Sequence, residues 1–193
     1  MASIYYINLS IFKSVPDAWA IEQLFPIMPI HRLNERPTAK AVLADLTCDS
    51  DGKIDRFIDL KDCKQVLELH PLQYLEPKVK DTKSSIEPYY LGMFLVGAYQ
   101  EVMGSFHNLF GDANVVHIQM TPKGYQIESV VKGDTIKEVL SYVQYDAEDL
   151  IETMRHRTEI ALQEKHITLE EAQKLLQNYE KSLSSYTYLN GSI

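Results

Sequence analysis

An α+β chain, rich in strands over its first two thirds and helical over its last, is predicted by three features of the sequence. All eight prolines and seven of the eight glycines precede Asp134, and none falls between Asp134 and Asn190. These residues punctuate strands and turns and are expelled from helix interiors. Short apolar runs with β alternation fill the Pro- and Gly-bearing part, and three apolar stripes at helical spacing fill the rest. Charge divides in the same way: 13 Lys/Arg against 16 Asp/Glu over residues 1–133, and 6 against 11 over 134–193. Two domains are therefore expected, an antiparallel β barrel or sandwich over residues 1–133 with one inserted helix, and a helical C-terminal extension over 134–193. With few helices between strands, antiparallel pairing is expected rather than a crossover-rich parallel sheet.

The elements follow in order. Tyr5, Ile7, Leu9 and Ile11 alternate with Tyr6, Asn8 and Ser10, a strand pattern. Phe25–Leu33 is apolar but carries Pro26 and Pro29, which suits an edge or bulged strand. Ala41–Thr47 reads as a buried strand, followed by Val66–His70 and Tyr89–Val96. The polar stretch Glu76–Glu87 reads as an exposed loop. Between Ala98 and Phe110, Tyr99, Val102, Met103, Phe106 and Leu109 recur at helical spacing, and Gly111 ends the pattern. Val115–Met120 and Tyr125–Val131, joined by a Thr-Pro-Lys-Gly turn, predict a hairpin. Ile136, Val139, Leu140 and Val143 then mark a first terminal helix. A second starts at Asp146 and carries Leu150, Ile151, Met154, Ala161 and Leu162. Thr168 and Glu171 have capping-box spacing and open a third, striped by Ala172, Leu175, Leu176, Tyr179 and Leu183.

Composition excludes several function classes. The 193 residues have a net charge of −8, which opposes a general nucleic-acid or anionic-membrane binder. No apolar run approaches the ~18 residues of a spanning helix. The first residues lack the basic n-region and cleavage site of a signal peptide, so a cytoplasmic location is expected. Cys48 and Cys63 have neither the number nor the spacing of a disulfide framework or a zinc site, and the histidines show no metal-ligand spacing.

Two segments carry candidate chemistry. In Leu46-Thr-Cys-Asp-Ser-Asp-Gly52 a cysteine, two carboxylates and a glycine stand where a strand leaves the core, a common position for functional residues. The plainer reading is an Asp-rich turn with a half-buried thiol. A calcium loop is disfavoured, because Gly52 stands fourth counting from Asp49 and an EF-hand requires glycine at the sixth place. In Val96-Gly-Ala-Tyr-Gln100 a strand stops at small residues before a helix start, where Tyr99 and free N–H groups suit a phosphate. The plainer reading is that Tyr99 simply begins the apolar stripe. His31, beside Arg32, reads as structural, and a nucleophile pair of Cys48 with His31 has only residue types to support it.

Three strings, LFPIMPIHRL (24–33), LTCDSDGKID (46–55) and PYYLGMFLVGAYQEVMGSFHNLFGDANVVHI (88–118), resemble the C-terminal portion of the biosynthetic arginine decarboxylases. The resemblance runs from about Tyr5 to Ser185–Leu189. It implies a pyridoxal-phosphate enzyme of the alanine racemase/ornithine decarboxylase fold type, converting arginine to agmatine and carbon dioxide in polyamine biosynthesis. An N-terminal (β/α)₈ barrel carries the cofactor lysine, a C-terminal β domain completes the site, and subunits associate as a homo-oligomer. By the same resemblance Cys48 is catalytic, guiding protonation near the reacting carbon. Asp49 binds the distal cation of the substrate, and Tyr99 contacts the cofactor phosphate. The departure is equally plain, since nothing here resembles the barrel, its glycine-rich phosphate loop or its lysine strand. Met1-Ala2 reads as a start set inside a longer parent sequence, and the chain alone is expected to be inactive. The rival expectation is a non-catalytic dimerisation or interaction module. An independent thiol enzyme using Cys48 lacks an identifiable base.

Overall fold

The computed structural model describes residues 2–72, 74–75, 85–86 and 88–189, with backbone alone at 74–75 and 85–86. Most of the expected Glu76–Glu87 loop lies outside the described residues. The chain forms two compact units, residues 1–105 and 106–193. The hairpin over 115–131 therefore groups with the terminal helices, whereas composition changes near residue 133. The physical link is local to the second unit. Asp112 N–H donates to Asp134 Oδ2 at 2.7 Å, and Tyr188 O–H to the Gly111 carbonyl at 2.8 Å.

The first unit is built on one mixed sheet. Strand β1 (Ser3–Tyr6) is followed by two short helices, α1 (Ile11–Ser14) and α2 (Pro16–Ala20), then β2 (Ile27–Pro29) and β3 (Ala39–Ala44). Five short strands come next: β4 (Lys53–Ile54), β5 (Phe57–Ile58), β6 (Cys63–Lys64), β7 (Leu67–Leu69) and β8 (Tyr74–Leu75). Strands β9 (Ser85–Ile86) and β10 (Leu91–Met93) and helix α3 (Gln100–Met103) complete the unit. Strand β3 is central. It pairs β1 in parallel, and β4 and β7 antiparallel along successive stretches. Three two-stranded antiparallel ladders, β2–β10, β5–β6 and β8–β9, account for the other described strands of this unit. The α+β class holds, while the expectation of a wholly antiparallel barrel or sandwich is corrected at β1–β3. Parallel neighbours need a long crossover, and here α1, α2 and β2 supply it.

Ile11, Ala41, Leu43, Ile54, Phe57, Leu67 and Leu69 form the core. Two sequence expectations change around it. The alternation from Tyr5 to Ile11 continues as a strand only to Tyr6, and Ile11 opens a buried helix. Ser10 caps that helix by accepting from Lys13 N–H at 3.3 Å. The helix expected over 98–110 is reduced to α3 and a 3₁₀ turn at His107–Leu109. Gly104 ends it, packed so closely that a Cβ there would stand 2.4 Å from the Lys13 carbonyl oxygen. Tyr99, Asn108 and Leu109 all have left-handed backbone, with φ of 55°, 54° and 60°. The expected apolar stripe consequently stays outside, with Tyr99 78%, Val102 86% and Met103 62% exposed.

The second unit contains the hairpin β11 (Val115–Thr121) and β12 (Gly124–Val131), and helices α4 (Ile136–Tyr142), α5 (Ala147–Gln163) and α6 (Leu169–Leu183). The Thr168/Glu171 capping box forms as its spacing predicts. A second box, Thr135 with Glu138, opens α4, and Asp146 caps α5. Helices α5 and α6 pack against each other, with Arg155 reaching Glu180 at 3.8 Å. Among the described residues no helix is long and apolar enough to cross a membrane.

Candidate functional site

Strand β3 turns Ala41 and Leu43 inward, and the alternation continues to Asp45, which is 2% exposed. A buried carboxylate must be hydrogen-bonded, and this one is. Its Oδ2 accepts from Ile11 N–H at 2.9 Å, and its Oδ1 from Thr47 N–H at 2.8 Å and the Thr47 hydroxyl at 2.7 Å. Asp45 N–H donates to the Gly52 carbonyl at 2.8 Å, closing the loop on itself. Gly52 is buried against this carboxylate, where a Cβ would stand 2.3 Å from Asp45 Oδ1. The loop is thus stapled at both ends to one buried group and to the start of α1. Gly52 closes the segment that the sequence singled out, whereas Asp45 is not among the candidates it suggested. The signal for Asp45 lies in the inward period of β3, one step past its last apolar residue.

Between the staples, Cys48 is exposed and Asp49 half-buried. Asp49 Oδ1 accepts from Asp51 N–H at 2.9 Å, and its carbonyl from Gly52 N–H at 3.1 Å, the geometry of an Asx turn. The thiol and the carboxylate are neighbours on a tethered turn. Beside it a cleft of ≈ 320 Å³ is lined by Trp19, Glu22, Asp51, Lys53, Asp55 and Arg56. Its cations are paired within it, Lys53 with Asp55 and Arg56 with Glu22, each at 2.7 Å. Hydrogen bonding to Asp55 raises the Lys53 ammonium above its ordinary range.

Tyr99 lies on a separate segment, between β10 and α3, with no side-chain cap to the helix. The strand leading to it is fixed by a polar cluster that sequence reasoning passed over. His70, 2% exposed, donates its backbone N–H to the Tyr89 hydroxyl at 2.9 Å. Its Nε2 stands 3.1 Å from the Glu35 carbonyl, which can only accept. In the neutral ring this makes Nδ1 the acceptor at 2.8 Å from the Tyr89 hydroxyl. Burial raises the Tyr89 phenol. Arg32, gripping Glu35 through Nε and Nη2 at 3.0 and 2.7 Å, holds that carboxyl below its usual range. His31 belongs to this cluster: its Nε2 accepts from Tyr90 N–H at 3.1 Å and its ring lies 4.8 Å from that of Tyr89. That is a structural role. Among the described residues no group of three or more His, Cys, Asp or Glu is placed to hold a metal ion.

Residues 136–189 match the family model described as the arginine decarboxylase C-terminal helical extension. Over 190 residues the chain is 70% identical to the biosynthetic arginine decarboxylase of Nostoc sp.. It is 69% identical over 189 residues to biosynthetic arginine decarboxylase 1 of Synechocystis sp.. Each match takes in 98% of this chain, but only 26% and 27% of the relative, so the chain spans about a quarter of the length of these curated relatives. The crystal structure of the biosynthetic arginine decarboxylase SpeA from Campylobacter jejuni superposes with a TM-score of 0.79 at 34% identity. That match covers 97% of this chain and 29% of that one.

Proposed function

The chain belongs to the biosynthetic arginine decarboxylase family as the counterpart of its members' C-terminal portion, and we propose that it supplies part of such an enzyme's active site. The observation that carries this reading is the stapled turn, which presents a thiol and a carboxylate side by side at the surface. The remainder of the site comes from an N-terminal barrel portion, and the assembled enzyme is a homo-oligomer in the cytoplasm. The reaction converts arginine to agmatine and carbon dioxide.

Asp49 binds the guanidinium of arginine. A carboxylate suits that cation because the pairing is charge-assisted and can be bidentate. Its orientation is preset by the Asp51 N–H on Oδ1, so little freedom is lost on binding. Cys48 Sγ delivers a proton to the substrate α-carbon after the carboxylate has left. Pyridoxal phosphate, when bound, supplies the electron sink that makes this departure feasible. The residues here fit part of that group. Tyr99 carries its phenol into open space, and nothing stands within 4 Å of a Cβ built on Gly97, which leaves room for a phosphate at the backbone. A lysine to hold the cofactor is expected from the barrel portion, so this chain alone is inactive.

The test is a full-length enzyme in which this chain replaces the matching region of the Nostoc relative. Asp49→Ala should raise the KM for arginine about 10- to 150-fold, the worth of a lost charge-assisted contact of roughly 1.5–3 kcal/mol. Cys48→Ala should instead lower kcat, because its contact is with the chemical step. An unchanged KM in the Asp49 variant removes the substrate-contact assignment. A second reading, a non-catalytic interaction module, draws on the exposed apolar run Phe94, Leu95, Val96, Tyr99, Val102 and Met103. Under that reading both substitutions leave the kinetics unchanged.

A further inference from the structure

The pairing of β11 with β12 sets Val116 opposite Val130, Ile118 opposite Ile127 and Met120 opposite Tyr125. Directly opposed residues of an antiparallel pair share a face, and alternate residues along a strand return to it. All six side chains therefore lie on one face, while Val115, His117, Gln119, Gln126, Ser129 and Val131 lie on the other. Keeping Ile127 there needs a correction to the register, because Tyr125 and Ile127 are two residues apart but Ile127 and Val130 are three. The ladder shifts between His117 and Ile118, so Glu128 faces no partner and Ile127 stands across from Ile118. That bulge returns Val130 to the face that carries Ile127.

The face is open. Val116 is 47% exposed, Ile118 56%, Met120 77%, Tyr125 71%, Ile127 54% and Val130 63%. A two-stranded ribbon is marginal in water without a further strand or a packed layer. A charge-free apolar face on such a ribbon also invites aggregation. Something must cover it, and nothing among the described residues does. The Nostoc and Synechocystis relatives extend well beyond the region matched here, which is 26% and 27% of their lengths. A cover on the same polypeptide acts at an effective concentration that a separate copy must match by mass action.

We infer that the apolar face of the β11–β12 ribbon is the seat of the N-terminal portion of the decarboxylase chain, which lays an uncharged apolar layer across it. This rests on the reading of the chain as the C-terminal part of such an enzyme, and not on the roles of Cys48, Asp49 or Tyr99.

Met120 is a built-in probe, because a thioether at the surface oxidises readily and a covered one does not. Its oxidation by hydrogen peroxide is followed by peptide mass spectrometry in the dilute isolated chain and in the full-length enzyme carrying this chain in the Nostoc framework. The expected result is oxidation near the rate of free methionine in the isolated chain and at least tenfold slower in the full-length enzyme. Ile118→Asp with Ile127→Asp in the full-length enzyme should restore fast oxidation while the far-ultraviolet circular dichroism of the helices is kept. Equal rates in the two proteins overturn the inference. So does protection already present in the dilute isolated chain, or protection that rises with its concentration and is not increased by joining, which would assign the face to a second copy. Asp49-dependent kinetics with an unprotected Met120 reject this inference alone, and a protected Met120 with Asp49-independent kinetics rejects only the substrate assignment.

Discussion

Asp45 carries three hydrogen bonds on a carboxylate that is 2% exposed, one of them to the start of a helix 34 positions earlier in the chain. Removing it leaves the Ile11 and Thr47 N–H groups without their acceptor, and unsatisfied buried donors cost more than the bonds themselves contribute. Asp45→Ala should destabilise the chain by about 2–4 kcal/mol, read as a lower urea midpoint at unchanged slope. Asp45→Asn keeps an acceptor oxygen and should lose less. Gly52→Ala should cost about 1–3 kcal/mol by overpacking, since its new methyl would meet Asp45 Oδ1 at 2.3 Å. Asp45→Ala and Gly52→Ala should also speed alkylation of Cys48, because they release the turn that carries it. A Gly52→Ala chain with unchanged midpoint would show that the carboxylate can move aside at no cost. Such a result would deprive the turn of its rigidity.

At the scale of elements, the terminal helices depend on their N-termini. The Thr135 hydroxyl holds the Glu138 carboxyl below its usual 4.5, and the Thr168 N–H does the same for Glu171. Each depressed value means that the native state binds fewer protons than the unfolded chain at mildly acidic pH. The contribution of both boxes is therefore complete above about pH 4.5 and is lost as the pH falls through the depressed values. Helical circular dichroism at a fixed, sub-midpoint urea concentration should fall below that pH. The double variant Glu138→Gln, Glu171→Gln, whose amides do not titrate, should flatten that fall. An unaltered acid slope would mean that other carboxylates govern it. Thr168-x-x-Glu171 was legible as a helix start because a capping box is wholly local, four consecutive residues satisfying one another's backbone groups. The same pattern at Thr135 and Glu138 was equally local and went unread beside the stronger apolar stripe.

For the whole molecule, the expected division of labour is between this chain and a barrel portion that holds the cofactor lysine. Lys13 is a buried lysine, 4% exposed in α1. Incubation of the chain with pyridoxal phosphate, borohydride reduction and peptide mapping should therefore give only scattered, substoichiometric pyridoxyl-lysine, with arginine turnover absent. One stoichiometric adduct, at Lys13 or elsewhere, would relocate the cofactor to this chain and end the proposal of a shared site. The cleft beside the turn belongs to the same scale. Both of its cations are paired within it, and Asp51 adds a third carboxylate to the lining.

Local sequence determined the α+β class, the hairpin, the three terminal helices and the buried strand β3. Each rests on propensity, period or a cap formed within a few residues, which a linear reading contains in full. Tertiary structure decided what depends on distant atoms. A carboxylate at the end of β3 turned Ile11 from the last residue of a strand into the first of a helix. The Lys13 carbonyl, against Gly104, ended a helix whose apolar spacing would have carried it to Phe110. Tyr99 took a left-handed backbone that its place in an apolar stripe opposes, and β1 met β3 in parallel because two helices too short to show a period supplied the crossover. Periodicity reports which face a residue would present if its element formed. Whether the element forms is settled by where the chain must pay for buried polar groups and close contacts, and those partners lie far away in sequence.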